Sequence, residues 1–284
     1  MFSIVIPTWN NLAFLQLAVD TIRRHSAHDH EILVHVNDGS DGTLAWVRAE
    51  GLKHTASADN IGICYAVNRV AALATQPYLV YLNDDMAVLP GWDRPLIATA
   101  QGLDGERFML SATMIEPTET GNRCVAVADH GRSPPAFDES GLIAAMPGLA
   151  RSDWRGATWP PTLVPTWMWS EVGGYSVELS PGMSSDNDFT MKLWHAGCRI
   201  FLGLGDSLVY HFACVSTGRI VKNNGALQFL RKWGVSQRDF DRIVLRRGES
   251  VGRGAGLVPR TLSRVETKAL ERARFKASLA LRFK

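Results

Sequence analysis

The 284-residue sequence has no uncharged apolar run of about eighteen residues, so nothing in it reads as a membrane-spanning helix. Its opening stretch, Phe2-Ser3-Ile4-Val5-Ile6, is strand-like and lacks the basic and long apolar segments of a secretory leader. Cysteine is scarce and scattered. Cys64, Cys124, Cys198 and Cys214 form no CxxC pair and no dense framework, which excludes a disulfide scaffold and fits a reducing compartment. Internal repeats and low-complexity blocks are also missing, so neither a solenoid nor a disordered chain is expected. These absences predict a cytoplasmic globular protein. With 46% hydrophobic and 20% charged residues the chain can bury a real core, as one large domain with an appendage.

Charge is unevenly distributed. Residues 251–284 carry nine Lys/Arg against two Glu within a net charge of +2, which leaves the preceding 250 residues acidic. The body therefore has no basic field of the kind that binds nucleic acid, and attraction to an anionic surface must come from the tail. There, Val265, Ala269, Ala273 and Ala277 recur at every fourth residue beside Arg264, Lys268, Arg272 and Lys276. This pattern predicts a basic, weakly apolar helix suited to loose peripheral contact with the inner face of a membrane, or to packing on a partner.

The first eighty-odd residues alternate strand and helix signals. An apolar run at 2–6 ends at Pro7, a helical pattern covers 12–25, and strands are expected at 31–36 and, weakly, 52–57. Helices are expected at 43–50 and 61–75. Tyr78-Leu79-Val80-Tyr81-Leu82 reads as a buried strand that delivers the chain into Asn83-Asp84-Asp85. Alternation of this kind predicts an α/β fold with a mostly parallel sheet flanked by helices, whose ligands sit beyond the carboxyl ends of the strands. Residues 104–165, rich in Gly and Pro, read as short mixed strands and loops. Further on, a helix is expected at 186–196 before Gly197, with strands at 199–204 and 207–210. The division that follows is a domain over 1–250, with a nucleotide-binding half at 1–100 and an acceptor-binding, catalytic half at 101–250, and a basic helical tail at 251–284.

Adjacent carboxylates at the end of a buried strand repel one another and resist desolvation unless a cation compensates them. Asp84 and Asp85 could hold Mg²⁺ or Mn²⁺, which take oxygen ligands and complete their shells with substrate phosphates. A plain turn also favours Asn and Asp, and spacing alone leaves both readings open.

Ile4-Val5-Ile6-Pro7-Thr8-Trp9-Asn10, Asn37-Asp38-Gly39-Ser40-Asp41-Gly42-Thr43, Asn60-Ile61-Gly62 with Ala66 and Asn68, and Leu82-Asn83-Asp84-Asp85 together resemble the family 2 glycosyltransferases of GT-A fold. Gly173-Gly174-Tyr175, Ser185-Asp186-Asn187-Asp188, Tyr210-His211-Phe212, and Phe229 with Lys232-Trp233-Gly234 extend the resemblance to about residue 235. It implies a Rossmann-like GT-A domain and an inverting transferase of the type that builds bacterial surface polysaccharide. Such an enzyme moves a sugar from a nucleotide diphosphate-sugar to a saccharide or lipid-linked glycan, with Mn²⁺ or Mg²⁺ as cofactor. Pro7, Thr8, Asn10, Asn60 and Asn68 would then hold the nucleotide, and Asp38 would accept a hydrogen bond from its base. Asn83 and Asp84 would face the ribose and sugar, with Asn83 replacing the first Asp of the family's DXD motif. Asp85 and His211 would bind the metal.

The reaction requires a base for the acceptor hydroxyl. By position in the motif this is Asp186, although Ser185 stands where the family has Glu; Asp188 is the reserve. Ser185-x-x-Asp188 also has the form of a helix capping box, which would account for Asp188 but not for Asp186. Trp154, Trp159, Trp167 and Trp169 crowd the segment before the base, where flat amphipathic rings suit a sugar face. Trp167 and Trp169 are the expected acceptor contacts, against ordinary core packing as the alternative. Two rival functions remain: a sugar-phosphate nucleotidyltransferase, which would show a Gly-rich basic loop where Pro7-Thr8-Trp9-Asn10-Asn11 stands, and a catalytically degenerate nucleotide-sugar- or glycan-binding module.

Overall fold

The apolar runs of the first half become strands covered on both faces. In β1 (Phe2–Trp9), Ile4 and Ile6 enter one core layer and Val5 the other. β2 (Glu31–Asn37) repeats this, with Val34 and Val36 opposite Leu33. Two-sided burial explains why neither strand shows the polar alternation of a solvent-facing sheet. The computed structural model describes residues 1–213, 221–252 and 254–282, so Cys214 lies outside the described residues.

Helices α1 (Leu12–His25) and α2 (Thr43–Ala49) follow the first two strands, and β3 (Lys53–Ser57), α3 (Ile63–Ala71) and β4 (Tyr78–Tyr81) complete the expected series. Then come β5 (Met86–Val88), α4 (Asp93–Gly102), β6 (Phe108–Glu116), β7 (Val125–Val127), α5 (Glu139–Leu149), β8 (Trp154–Arg155), β9 (Thr162–Pro165) and α6 (Thr166–Val172). The chain continues through α7 (Ser185–His195), β10 (Ile200–His211), α8 (Gly225–Trp233) and α9 (Gln237–Asp239), which runs into a π-helix at Phe240–Leu245, and ends in α10 (Arg264–Arg282).

Among the described residues the strands form a ten-stranded sheet in the order β3-β2-β1-β4-β9-β6-β10-β5, with β7 on β6 and β8 on β10. The first four strands are parallel. β9 enters antiparallel between β4 and β6, β10 returns parallel to β6, and β5 closes the path antiparallel to β10. The expected α/β class with a mostly parallel, helix-flanked sheet is thus observed, and strands from both halves of the chain share it.

Three local differences have physical causes. β6 was read as part of an irregular middle, yet all nine of its residues are buried. Its polar members hid it, and each is satisfied inside: Ser111 Oγ donates to Trp159 O at 3.3 Å and Thr113 Oγ1 to Leu204 O at 2.8 Å. α5 was missed because it contains Pro147 and two glycines. The strands expected at 199–204 and 207–210 are one strand, β10, whose register on β6 shifts between Leu204 and Leu208.

The tail forms the expected helix but docks on its own chain. Ala273 and Ala277 are buried, Ala269 and Leu270 pack against the second core layer, and Arg260 donates to Val244 O at 2.5 Å and Ile243 O at 2.9 Å just ahead of it. Only Val265 of the apolar stripe stays out, at 78% exposure. Among the described residues no helix is long and apolar enough to cross a membrane.

Candidate active site

The sheet opens where β4 stops. β1 and β4 are in register from Phe2↔Tyr78 to Val5↔Tyr81, and the last bond on that side runs from Leu82 N to Val5 O. Pro7 shares the parity of Val5, so its missing N–H faces the side on which β4 has ended, where no donor is needed. Beyond it lies a cavity of about 430 Å³, lined by the carboxyl ends of β1 and β2, the loop after β4, the end of β10, and the entries to α3 and α7. This is the crevice that open α/β sheets offer to ligands.

One wall carries Pro7, Thr8, Trp9, Asn37 and Asn60. Thr8 Oγ1 is buried with no hydrogen-bond partner among the described residues, which leaves a hydroxyl able to serve a ligand. Asn60 Oδ1 accepts from Gly62 N at 2.9 Å and shapes the turn into α3. Asn37 was not singled out by sequence. Its side chain bridges two loops, accepting from Ile61 N at 3.0 Å and donating to Thr8 O at 3.3 Å. The signal was available, since Asn37 opens the same turn motif as Asp38.

Asn10 and Asp38 face one another instead of the cavity. Asn10 Nδ2 donates to Asp38 Oδ2 at 2.8 Å and both residues have positive φ, so the pair ties the β1 and β2 turns together at the edge of the site. Asn68 lies off the cavity altogether. Its amide donates to Tyr175 O at 2.7 Å and accepts from Tyr175 N at 2.8 Å, which makes it a clamp on the Gly173-Gly174-Tyr175 turn. A side chain at Gly174 would collide with Asn68 Oδ1 and Trp169, and its φ of 60° adds strain, so the second glycine is required.

Asn83, Asp84, Asp85 and His211 line the floor. His211 Nε2 lies 3.5 Å from Asp85 Oδ1, and Nδ1 donates to Glu116 Oε1 at 2.8 Å. Burial alone would lower the histidine's pKa, but hydrogen bonds and charge from Asp85 and Glu116 raise it to about 10. The two carboxylates thus favour the protonated imidazole. The same set fits a divalent cation: Glu116 fixes the ring through Nδ1, the usual second support of a ligating histidine, and leaves Nε2 turned to Asp85 and the cavity. Among the described residues no group of three or more His, Cys, Asp or Glu side chains is arranged to hold a metal ion by itself. The donors present suit a cation that shares its shell with a substrate's phosphates. Glu116, at the end of the strand that sequence did not reveal, was missed with it.

Asp186 lines the opposite side, in the first turn of α7. Burial pushes its carboxyl up to about 6, against the pull of a 2.7 Å hydrogen bond from the Tyr175 hydroxyl. Tyr175 is itself fully packed, edge-on to Tyr81, Trp169 and Phe189, and its phenol is held well above the ordinary range by burial and by Asp186. Asp186 thus has a fixed orientation and a pKa near neutrality, the combination a general base requires.

Asp188 is a different kind of residue. It is fully buried, and it accepts from Ser176 Oγ at 2.5 Å and Trp233 Nε1 at 2.7 Å and pairs with Lys232 at 3.0 Å. The capping-box reading is corrected accordingly: Ser185 Oγ donates to Gly182 O, the N-cap Ser184 makes no side-chain cap, and Asp188 anchors the Lys232-Trp233 element behind α7. The two tryptophans expected to contact an acceptor lie elsewhere. Trp169 is 8% exposed and packs on Tyr175 and Phe189, while Trp167 is on the outer surface beneath Arg107. Neither lines the cavity.

Comparisons with known proteins bear on the fold that carries this cavity. Residues 3–112, which hold the first strands and the Asn83-Asp84-Asp85 loop, match the family described as Glycosyl transferase family 2. Among solved structures, S. aureus TarS 1-349 superposes with a TM-score of 0.54 at 15% identity, covering 74% of this chain and 60% of that one. Its complex with UDP-GlcNAc gives 0.52 and 16%, covering 74% and 57%. GalNAc-T7 with UDP, GalNAc and Mn²⁺ gives 0.59 and 14%, covering 84% and 49%. The chain thus spans less than two thirds of each of these proteins, and the likeness establishes the GT-A fold. No curated protein matches the chain by sequence.

Proposed function

We propose that the chain is an inverting glycosyltransferase that moves a sugar from a nucleotide diphosphate-sugar to a hydroxyl of a glycan or lipid-linked glycan. The observation that carries this reading is Asp186, a buried carboxyl with a pKa of about 6, set in the same cavity as the Asn83-Asp84-Asp85 loop and the Thr8 wall. In this reading Pro7, Thr8, Asn37 and Asn60 hold the nucleoside. Asp85 and His211, with Asp84 and Asn83 beside them, would hold Mn²⁺ or Mg²⁺, which supplies Lewis-acid stabilisation of the departing diphosphate.

The remaining work belongs to the chain's own residues. Asp186 accepts the proton of the acceptor hydroxyl as that oxygen attacks the anomeric carbon, and Tyr175 keeps the carboxylate aimed and ionised. One displacement by one activated hydroxyl inverts the anomeric centre. Surface-polysaccharide assembly at the inner face of a membrane is the setting that suits the basic, exposed face of α10, formed by Arg264, Lys268, Arg272 and Lys276.

The test is Asp186→Asn. It should bind nucleoside diphosphate and Mn²⁺ as the unaltered protein does, yet lose about 10²–10⁴-fold in kcat. Near-normal transfer by this variant, or a product that retains the donor's anomeric configuration in NMR, would overturn the mechanism.

A further inference from the structure

Asn187, next in sequence to Asp186, lines a second cleft of about 720 Å³ that belongs to none of the machinery above. Its walls carry five arginines, Arg123, Arg238, Arg242, Arg246 and Arg247, against two carboxylates, Asp241 and Glu249. This concentration of positive charge stands in the acidic body of the chain. Like charges gathered along one cleft repel each other, and the arrangement is relieved when an anion enters.

The acids are already engaged. Asp241 pairs with Arg247 at 2.7 Å and accepts from Asn187 Nδ2 at 3.2 Å, and Glu249 pairs with Arg246. Arg242 is bound to Asp239 at 2.8 Å. Arg123 and Arg238 are exposed and form no ion pair among the described residues. Arg247 lies over the Trp159 ring at 4.0 Å, which fixes its plane. Arg242 belongs to the π-helix at Phe240–Leu245, and Arg246 follows it with φ of 51°, a conformation that glycine would adopt at lower cost. The strained position nevertheless holds a long cation at the cleft wall.

Guanidinium forks bind phosphate oxygens in a fixed planar geometry, and several forks around one cleft select for multiply charged oxyanions. The cleft is also larger than a single phosphate. Resting on the glycosyltransferase reading, we propose that this arginine cleft is a binding site for a phosphate-bearing portion of the acceptor. Asn187 joins it to the base: its neighbour Asp186 faces the donor cavity, and its own amide holds Asp241 in the arginine cleft.

The probe is inorganic pyrophosphate, titrated calorimetrically into the full-length chain in EDTA, which removes the divalent cations through which the donor cavity would hold it. The unaltered protein should bind saturably and more weakly as salt rises. Arg123→Gln/Arg238→Gln, which alters only exposed side chains, should weaken binding about tenfold or more. Absence of binding by the unaltered protein, or equal binding by the arginine variant, overturns the site.

A second arm separates an acceptor's phosphate from free phosphate. Saccharide phosphates should serve as acceptors with lower KM than their dephosphorylated forms, and the arginine variant should erase that difference. Equal KM for the two acceptor forms in the unaltered protein overturns the assignment to the acceptor. Failure of every nucleoside diphosphate to bind would instead sink the transferase reading, and leave the pyrophosphate result standing.

Discussion

Tyr175→Phe isolates the contact on which the proposed base depends. The variant keeps the ring and its packing on Tyr81, Trp169 and Phe189 and removes one hydroxyl, whose 2.7 Å hydrogen bond favours ionised Asp186. A hydrogen bond to a charged group is worth about 1.5–3 kcal/mol. At about 1.4 kcal/mol per unit, its loss should raise the carboxyl's pKa by roughly 1–2 units, from about 6 to about 7–8. The ionised form is the active one, so transfer falls as pH drops through this pKa and the acid limb should move up by the same amount. At pH 7 the base would go from about nine-tenths ionised to between about one half and one tenth, a two- to tenfold loss that recovers near pH 9. The assay is kcat against pH at saturating donor, with nucleoside diphosphate affinity measured alongside. An acid limb that stays at its original pH while the rate falls uniformly would refute the reasoning, because the phenol would then be acting on something other than Asp186's ionisation.

Three further outcomes are expected. Asp85→Ala should abolish the Mn²⁺ dependence of nucleoside diphosphate binding in titration calorimetry while the folded structure is retained; metal-dependent affinity that persists would remove Asp85 from the metal assignment. Asp188→Asn should lower stability by about 2–4 kcal/mol in urea unfolding, since a fully buried carboxylate with three donors is lost, and a loss below about 1 kcal/mol would contradict its anchoring role. Trp169→Ala should cost about 3–5 kcal/mol as a core cavity, whereas Trp167→Ala should stay within about 1 kcal/mol and leave acceptor KM unchanged; a raised acceptor KM for the latter would restore it to the site.

The first ninety residues were legible because β1, β2 and β4 are largely apolar and each ends in a distinctive polar turn. Pro7-Thr8 and Asn83-Asp84-Asp85 could be placed at strand ends from sequence, and the structure brings both, with Asn60, Asp186 and His211, into one cavity. Legibility failed where a residue's partner is remote. Asp188 looked like a local helix cap because its neighbours in sequence are cap-like, whereas its partners Lys232 and Trp233 lie 44 and 45 residues later. Asn68 looked like a ligand contact for the same reason, its partner Tyr175 being 107 residues away. The positions of the tryptophans were not legible for a different reason, since aromatic composition does not say which face of α6 a ring occupies. Glu116 was hidden because its strand carries internally satisfied Ser and Thr.

The anchoring of α7 by Lys232 and Trp233 also sets an order of events during synthesis. The parallel strands β1 to β4, with the Asn83-Asp84-Asp85 loop at their ends, leave the ribosome well before residue 188, and Asp188 itself emerges more than forty residues ahead of the cation and indole that neutralise it. Until those arrive, the turn that carries Asp186 has an uncompensated charge at its back. A nascent chain therefore holds the strands and loop of one cavity wall before it holds the two residues that fix the turn carrying Asp186 on the other.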